Sequence, residues 1–444
     1  MSKLSVLVVL LATLVVALGF ATGGQEADEA SAEPVEMTVT TVVDHYNDGF
    51  RAVVAAINES EELNVELDVD AVAGGQGVEI VRLRFASNEI SDFVELNSIG
   101  SIYNNVGGDE PYLPVGGEWE ENFDENLLYT NTYYADGEVR AVPFGGVNLG
   151  GMLYNMQVFE DLGLEIPTTH EELLSVAETI RQESDITPVF VSGRTGWTLQ
   201  IYPIVGFSRE WKDDPSRARE IFVELRDNDL RWDELDLWWD SFSKYKELID
   251  EGYVNETWLS DTYDMAQEAL VNGDAAMYPM ATWVLADLQE KFTEEQVQNI
   301  GAFPIPFDGE NHAPAWPPFA FAMTRNVADE ALGRAIMEFV ASPEGQETYF
   351  AATPGIPAAR GLDVELLPAQ QDLYEVFSTP GRGGLVYQFL GPTDGIDGPR
   401  APWNLVQATQ RILTETSTVE EEARQRAEDY IQAGIDQGIP GFGE

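Results

Sequence analysis

Residues 37–71 carry the sequence MTVTTVVDHYNDGFRAVVAAINESEELNVELDVDA. Two strands are predicted here, at 37–43 and 65–71. The second alternates strictly between apolar and polar residues, which indicates that one of its faces is buried. The intervening residues 49–63 place apolar side chains at helical spacing, namely Phe50, Val53, Val54 and Ile57. The order strand, helix, strand predicts the opening of an α/β sheet.

Helix signals recur along the rest of the chain. The segment Thr169-His-Glu-Glu172 forms a capping box, in which the Thr caps the helix and the second Glu reaches back to the backbone. Helices are also predicted at 236–250 and at 261–271, where Asn272-Gly273 ends the second one. Further helices are predicted at 328–340, from Pro343 and from Thr418.

The sequence context of several large side chains predicts whether they are exposed. His170 occupies the first turn of the capped helix and is expected on the surface. Trp211 and Trp232 are flanked by charged residues and are expected on surface helices. The pair Trp238-Trp239 lies on the apolar stripe of a helix, so we expect it in a core.

The composition is strongly acidic, yet 44% of the residues are hydrophobic, so we expect a folded protein. Among 444 residues, 78 Asp and Glu against 24 Lys and Arg give a formal charge of −54, with a pI near 4.1. A nucleic-acid-binding protein needs basic patches, so that class is excluded. The charge indicates either a carboxylate-covered surface suited to high salt or attraction of a cation or a basic partner. The acidic residues are spread along the chain and form no EF-hand loop, which favours the first interpretation.

Catalytic and metal-binding signatures are missing from the sequence. It has no Cys, which excludes disulfides, thiolate metal sites and Cys nucleophiles. Its three His residues, at 45, 170 and 312, lie far apart, and no nucleophile-elbow, HExxH, Walker A or GxGxxG pattern occurs. We therefore predict no catalytic residue, no metal site and no cofactor.

The N-terminus has the pattern of a secretory signal peptide. Lys3 precedes an uncharged apolar run at 4–20 that ends in small residues, and an acidic stretch follows. We predict a signal peptide at 1–21, a flexible acidic tail at 22–36 and a periplasmic or otherwise extracytoplasmic location. An uncleaved membrane anchor is the alternative. No Cys lies near Ala21, so a lipoprotein is not expected.

Several blocks follow one another along the chain at a characteristic spacing. They are Ala86-Ser-Asn-Glu-Ile-Ser-Asp92, Asp136-Gly-Glu-Val-Arg-Ala-Val-Pro143, Leu153-Tyr-Asn155, Phe159-Glu-Asp-Leu-Gly-Leu164, Pro167-Thr-Thr-His-Glu-Glu-Leu-Leu174, Ala269-Leu-Val-Asn-Gly-Asp-Ala-Ala-Met277 with Thr282-Trp283, and Phe339-Val-Ala-Ser-Pro343-Glu-Gly-Gln346. In this order they resemble the extracellular solute-binding proteins of carbohydrate ABC importers, the family that contains maltose-binding protein. Two departures are Ser91, where Pro is usual, and His170, where Trp is usual.

The resemblance implies an α/β periplasmic-binding-protein fold of the type II-like class, with two lobes joined by crossover hinge segments around a ligand cleft. The implied N-terminal lobe comprises residues 37–143 plus 323–350, and the C-terminal lobe comprises residues 144–322 plus 351–444. The implied crossings lie near residues 143–146, 319–323 and 349–353.

A carbohydrate site needs flat aromatic faces for the C–H side of a sugar ring and planar polar groups for its hydroxyls. Alignment with the family blocks implies that Trp283 and Trp403 stack on the ligand. Trp197 is a third candidate, because it lies in a Gly-flanked loop. The candidate polar partners follow strands or lie beside the first crossing: Asp44, His45, Asn47, Asn97 and Asn148. Loop Asn and Asp residues more often cap turns than bind ligands, so a structural role is the alternative for each of them, and Asp92 is expected to hold a turn.

The leading hypothesis is a monomeric binding protein that captures a carbohydrate and delivers it to the permease subunits of an ABC transporter, without catalysis. Two other classes stay open, a secreted glycan-active enzyme that uses a carboxylate pair, and a sensor or adhesion protein that signals through a receptor. The ligand is also open between a sugar, a polyol and a cationic solute.

Overall fold

The computed structural model describes most of the unit Val35–Glu444. The described residues are 33–73, 77–96, 111–123, 138–211, 217–309, 311–353, 355–379, 382–385 and 404–443. The predicted signal peptide and most of the predicted acidic tail lie outside these ranges. No helix in the described ranges is both long enough and apolar enough to cross a membrane.

Strands and helices alternate along the chain. The strands are β1 Val35–Val42, β2 Val65–Val72, β3 Phe93–Leu96, β4 Ala141–Phe144, β5 Gly146–Asn155, β6 Thr187–Val189, β7 Ala275–Ala281, β8 Ile300–Phe303, β9 Ala313–Trp316, β10 Phe319–Met323, β11 Ile356–Pro357 and β12 Gly383–Leu385. The α-helices are α1 Asp48–Glu59, α2 Gly77–Ser87, α3 Met156–Asp161, α4 His170–Glu183, α5 Ile201–Phe207, α6 Arg217–Arg226, α7 Asp236–Asp250, α8 Tyr263–Asn272, α9 Val284–Lys291, α10 Glu294–Gln298, α11 Glu330–Ala341, α12 Pro343–Ala352, α13 Pro368–Phe377, α14 Leu405–Leu413 and α15 Val419–Asp436.

The first sheet has the strand order β2-β1-β3-β10-β4. Strands β1, β2 and β3 are parallel, and β10 runs antiparallel to both of its neighbours. In β2, Val65 and Leu67 are buried between exposed carboxylates, as the alternation predicted. Strand β1 begins at Val35, which pairs with Val65, so the expected tail ends two residues earlier than predicted.

Helix α1 covers one face of this sheet and confirms the predicted strand, helix, strand opening. The Asn47 side chain caps it by accepting a hydrogen bond from the Phe50 N–H, which satisfies one of the free backbone donors of the first turn. The predicted apolar stripe is buried. The Gly49 N–H donates to the Thr353 hydroxyl at 2.7 Å, which joins α1 to the end of α12.

The second sheet is built around β5, which pairs antiparallel with β7, β8, β9 and β11. The chain passes from the first sheet to the second between β4 and β5, through Gly145. Its φ of +85° is a left-handed conformation that favours glycine. A Cβ atom at this position would also lie 3.1 Å from the Tyr349 hydroxyl.

The chain returns to the first sheet between β9 and β10, through Pro317-Pro318. We expected this passage at 319–323, and expected residues 319–322 in the second lobe. Those residues instead form β10, which pairs with β3 and β4 of the first sheet. Two consecutive prolines lack N–H donors and so cannot continue a strand ladder, which explains why the strand is interrupted there. The third passage follows α12 and precedes β11, close to the expected 349–353.

An apolar cluster that is separate from the main core buries Trp211 and Trp232, which we expected on the surface. The exposed fractions are 1% for Trp211 and 7% for Trp232. Both pack with side chains from α5, α6, α7, α14 and α15. Their charged sequence neighbours form ion pairs instead, as Arg231 does with Asp233 at 2.8 Å. The surface prediction was wrong because it used only local sequence, whereas helices distant in sequence supply the apolar partners.

His170 is also buried, contrary to prediction. Its side chain is 3% exposed, and its Nε2 lies 2.9 Å from the Glu247 carboxylate on α7. The predicted capping box is present, with Thr169 accepting from the Glu172 N–H. The helix start is therefore correct, but packing against α7 covers its first turn. Burial lowers the pKa of His170 below its ordinary value.

Candidate functional site

Four aromatic side chains lie side by side near the passage from the second sheet to the first. Tyr263 lies 5.1 Å from Trp197, Trp197 lies 6.1 Å from Trp283, and Trp283 lies 5.1 Å from Trp316, measured between ring centroids. We call these four residues the aromatic row. Trp197 is 37% exposed, and Trp283 and Trp316 are half-buried. The three tryptophans therefore each expose part of an indole to solvent, while Tyr263, Trp283 and Trp316 also pack against the main apolar core.

A tightly bonded loop holds Trp197. The Thr198 hydroxyl donates to the Ser192 carbonyl at 2.9 Å, and the Arg194 N–H donates to the Asp261 carbonyl at 3.1 Å. The Thr195 hydroxyl accepts from the Tyr263 N–H at 3.1 Å, which fixes the position of Trp197 relative to the next member of the row. Side chains on such a loop are presented in a defined orientation.

Trp283 lies two residues after the end of β7, and Asn148 lies on the adjacent strand β5. The Thr282 hydroxyl accepts from the Leu149 N–H at 3.0 Å and donates to the Asn148 Oδ1 at 3.3 Å. Asn148 is also the register partner of Trp316 on β9. The structure thus brings together three residues that the sequence predicted separately, Trp283, Trp197 and Asn148.

Sequence reasoning missed two members of the row, Tyr263 and Trp316. Neither belongs to a family block: Tyr263 begins α8, and Trp316 ends β9, three residues before Phe319. The Trp316 indole packs over Gly150, where a Cβ atom would lie 2.6 Å from the indole Cζ3 atom. The sequence signal that could have found Trp316 is the Trp-Pro-Pro segment, because an aromatic residue at a strand end beside a chain crossing is well placed to meet a ligand.

His45 lies at the carboxyl end of β1, on the first-sheet side. Its ring stacks on Phe319 at 3.7 Å between centroids, with 15° between the ring planes. Its Nδ1 lies 3.2 Å from both carboxylate oxygens of Glu95 on β3. Phe319 begins β10 immediately after the Pro-Pro segment, and Trp316 immediately precedes that segment. The residue on which His45 stacks is therefore three residues along the chain from the end of the aromatic row.

The remaining predicted residues have other placements. Besides capping α1, Asn47 donates through Nδ2 to the Tyr349 hydroxyl at 2.8 Å, so its amide serves the fold. Asp44 lies in a short 3-10 turn after β1, and its side chain is outside the described part of the chain. Trp403 and Asn97 are also outside it. Asp92 accepts from the Thr38 and Ala328 N–H groups, in keeping with its expected turn role.

The aromatic row contacts a carboxylate through Tyr263. The Tyr263 hydroxyl donates to Asp287 on α9 at 2.7 Å. Burial, together with this negative neighbour, raises the pKa of Tyr263 well above its ordinary value, so the phenol keeps its proton. Within the described ranges, no three His, Asp or Glu side chains are grouped so that they could hold a metal ion.

Comparisons with known proteins agree with this architecture. Residues 34–366 match the family described as bacterial extracellular solute-binding protein. The multiple sugar-binding protein of Streptococcus mutans is 25% identical over 56% of this chain and 58% of its own. The xylose/arabinose-binding protein XacG of Haloferax volcanii is 23% identical over 53% of this chain and 51% of its own. The matched part thus spans about half the length of these relatives.

Solved structures show a shared fold at low identity. RafE in complex with raffinose superposes with a TM-score of 0.72 at 16% identity, over 90% of this chain and 99% of RafE. A chitin oligosaccharide binding protein gives 0.72 at 19% identity, over 91% of this chain and 100% of that protein. These neighbours are two-lobe solute-binding proteins, so the expected α/β fold class is confirmed.

Proposed function

Because the chain belongs to the bacterial extracellular solute-binding protein family, we propose that it captures a carbohydrate between two lobes and delivers it to the permease subunits of an ABC transporter. Membership in this family makes it an extracytoplasmic binding protein rather than an enzyme. The observation that carries the choice of ligand is the aromatic row.

The row fits a sugar because of its shape and chemistry. A pyranose ring has an apolar C–H face, which packs favourably on an aromatic ring because apolar surface is buried. The hydroxyls around its edge need hydrogen-bonding partners. Adjacent centroids in the row are 5.1 to 6.1 Å apart. Asn148 supplies a polar group beside Trp316, and His45 supplies one that stacks on Phe319, three residues along the chain from Trp316.

Relatives support the same ligand class. The matched proteins include binders of multiple sugars, of xylose or arabinose, and of melibiose, raffinose or stachyose. Importers of these solutes depend on a permease, which is the partner that we propose for this chain. We also propose that the protein acts as a monomer and is exported by a signal peptide at 1–21, without a lipid anchor.

The sheet memberships support a division into two lobes. We propose that strands β1 to β4 and β10 with helices α1, α11 and α12 form the first lobe, and that the structure around β5 with the C-terminal helices forms the second. The three passages at Gly145, at Pro317-Pro318 and after α12 would then be the hinges. Closure about them would bring His45 towards the aromatic row.

The test is a thermal-shift screen of the wild-type protein with raffinose, melibiose, xylose, arabinose, glycerol and spermidine. A ligand that binds the native state raises the melting temperature by mass action. We expect a shift with at least one sugar and none with spermidine. A shift with spermidine alone would support a cationic solute instead, and a shift with glycerol alone would support a polyol.

The aromatic row is tested with Trp283→Ala, for which Tyr374→Ala is the matched control. Tyr374 is an aromatic residue that is 39% exposed but lies outside the row, on α13. Loss of one stacking ring is expected to weaken sugar binding by about 1–2 kcal/mol, or about five- to thirtyfold. Equal affinities for the wild type and Trp283→Ala would rule the row out as the site.

A further inference from the structure

A buried carboxylate lies next to His45 in the first sheet. Glu95 lies on β3, in the middle of the first sheet, and is 0% exposed. It accepts a hydrogen bond from the Thr41 hydroxyl on β1, and both of its oxygens lie 3.2 Å from the His45 Nδ1. Burying a carboxylate is costly unless donors surround it, so this arrangement needs a functional or structural reason.

The geometry decides which His45 nitrogen carries a proton. A carboxylate only accepts hydrogen bonds, so a ring nitrogen close to both of its oxygens must be a donor. Nδ1 of His45 is therefore protonated. The second ring nitrogen, Nε2, is left to other partners, and in the neutral ring it accepts a hydrogen bond.

The ring plane is fixed as well. Stacking on Phe319 at 3.7 Å holds the imidazole flat against the residue that begins β10. The His45 side chain is 13% exposed, so a small part of it reaches solvent. The ring thus has a set plane, a set proton position and an accessible edge beside a chain crossing.

From these observations we propose that Glu95 is a positioning residue for ligand recognition. It holds the proton of His45 on Nδ1, so that Nε2 presents a single hydrogen-bonding atom of fixed direction to a ligand hydroxyl. This inference rests on the proposed sugar-binding function, and it adds a specificity-determining pair on the first-sheet side of the site. Glu95 acts through His45 and does not touch the ligand.

A second histidine–carboxylate pair in the chain has the opposite geometry and serves as a comparison. His170 meets its own carboxylate, Glu247, through Nε2 at 2.9 Å rather than through Nδ1. The same reasoning therefore assigns the Nε2–H tautomer to His170 and the Nδ1–H form to His45. The two sites should give opposite spectroscopic signatures in one sample.

Nitrogen-detected NMR of protein labelled with ¹⁵N-histidine measures both tautomers without any ligand. The sequence has three histidines, and spectra of His45→Phe and His170→Phe assign the signals. We expect a protonated Nδ1 at His45 in the wild type, and a weaker preference for that tautomer in Glu95→Gln, whose amide offers one accepting oxygen instead of two. The matched control Glu247→Gln should change His170 and leave His45 unchanged. An unprotonated Nδ1 at His45 in the wild type would overturn the proposal, even if Glu95→Gln failed to fold.

A double-mutant cycle with the best sugar of the thermal-shift panel tests the ligand step. Glu95→Gln is expected to weaken binding about two- to tenfold in the wild-type background, the effect of one misdirected hydrogen bond. In a His45→Phe background it should cause no further loss. An equal loss in both backgrounds would show that Glu95 does not act through His45. If no sugar binds, the proposed function fails, while the NMR result still supports or overturns the positioning of His45.

Discussion

Substitution of Gly150 by Ala should lower both the free energy of unfolding and the affinity for sugar. It lies on β5 opposite Ala281. A Cβ atom there would lie 2.6 Å from Trp316 Cζ3 and 2.7 Å from Val205 Cγ2. Carbon atoms pack at about 3.5–4.0 Å, so Gly150→Ala places both neighbours about 1 Å too close. Val205 is 1% exposed, whereas the indole of Trp316 is half-buried, so we expect Trp316 to move.

The magnitude follows from two opposed effects. Overpacking of this kind costs about 1–3 kcal/mol. Replacing Gly by Ala also restricts the unfolded chain, which offsets about 0.4–1 kcal/mol. We therefore expect the free energy of unfolding, measured by urea titration, to fall by about 0.5–2 kcal/mol. Displacement of Trp316 should weaken sugar binding about three- to tenfold, measured by calorimetry.

Gly146→Ala is the matched control on the same strand. A Cβ atom at Gly146 would find its nearest neighbour at 3.5 Å, an ordinary contact. Its free energy of unfolding should stay within about 0.5 kcal/mol of the wild-type value. A Gly150→Ala protein that is as stable as the wild type and binds sugar equally well would refute the packing argument for Trp316.

Three further predictions concern the rest of the molecule. If the charge of −54 is an adaptation to salt, the melting temperature should rise between about 0.1 M and about 3 M KCl, and no rise would contradict this interpretation. Gly273 ends α8 with a φ of +77°, so Gly273→Ala should lower the free energy of unfolding in urea by about 1 kcal/mol; an unchanged value would contradict its capping role. Burial lowers the pKa of His170, so neutral His170 stabilises the fold fully above the unfolded pKa of about 6.5, and this stabilisation is lost as pH falls below that value. In urea titrations from pH 8 to pH 5, the free energy of unfolding should fall more steeply for the wild type than for His170→Gln. Parallel curves would contradict the lowered pKa of His170.

Local sequence signals predicted much of the fold because local physics decides those features. The helix predicted at 236–250 is α7, with the same bounds. The predicted end of α8 at Gly273 is confirmed by its left-handed cap. Thr418 forms the capping box of α15, as expected. Capping, turn chemistry and apolar periodicity each involve residues within one or two helical turns, so the chain itself carries the information.

Burial and site assembly were harder to predict because they depend on contacts between distant segments. His170, Trp211 and Trp232 were expected on the surface, but helices far along the chain bury them. Trp316 was missed because only the pairing of β9 with β5 brings it to Trp283. Nothing in the sequence marked Glu95 as a site residue, because only the pairing of β1 with β3 brings it next to His45.

The central claim is that the aromatic row binds a carbohydrate. A crystal structure of the complex with the sugar that gives the largest thermal shift tests it most directly. We expect a sugar ring within about 4–4.5 Å of Trp283 and Trp316, with the His45 Nε2 hydrogen-bonded to a hydroxyl. A sugar bound in a site that touches no member of the row would contradict it.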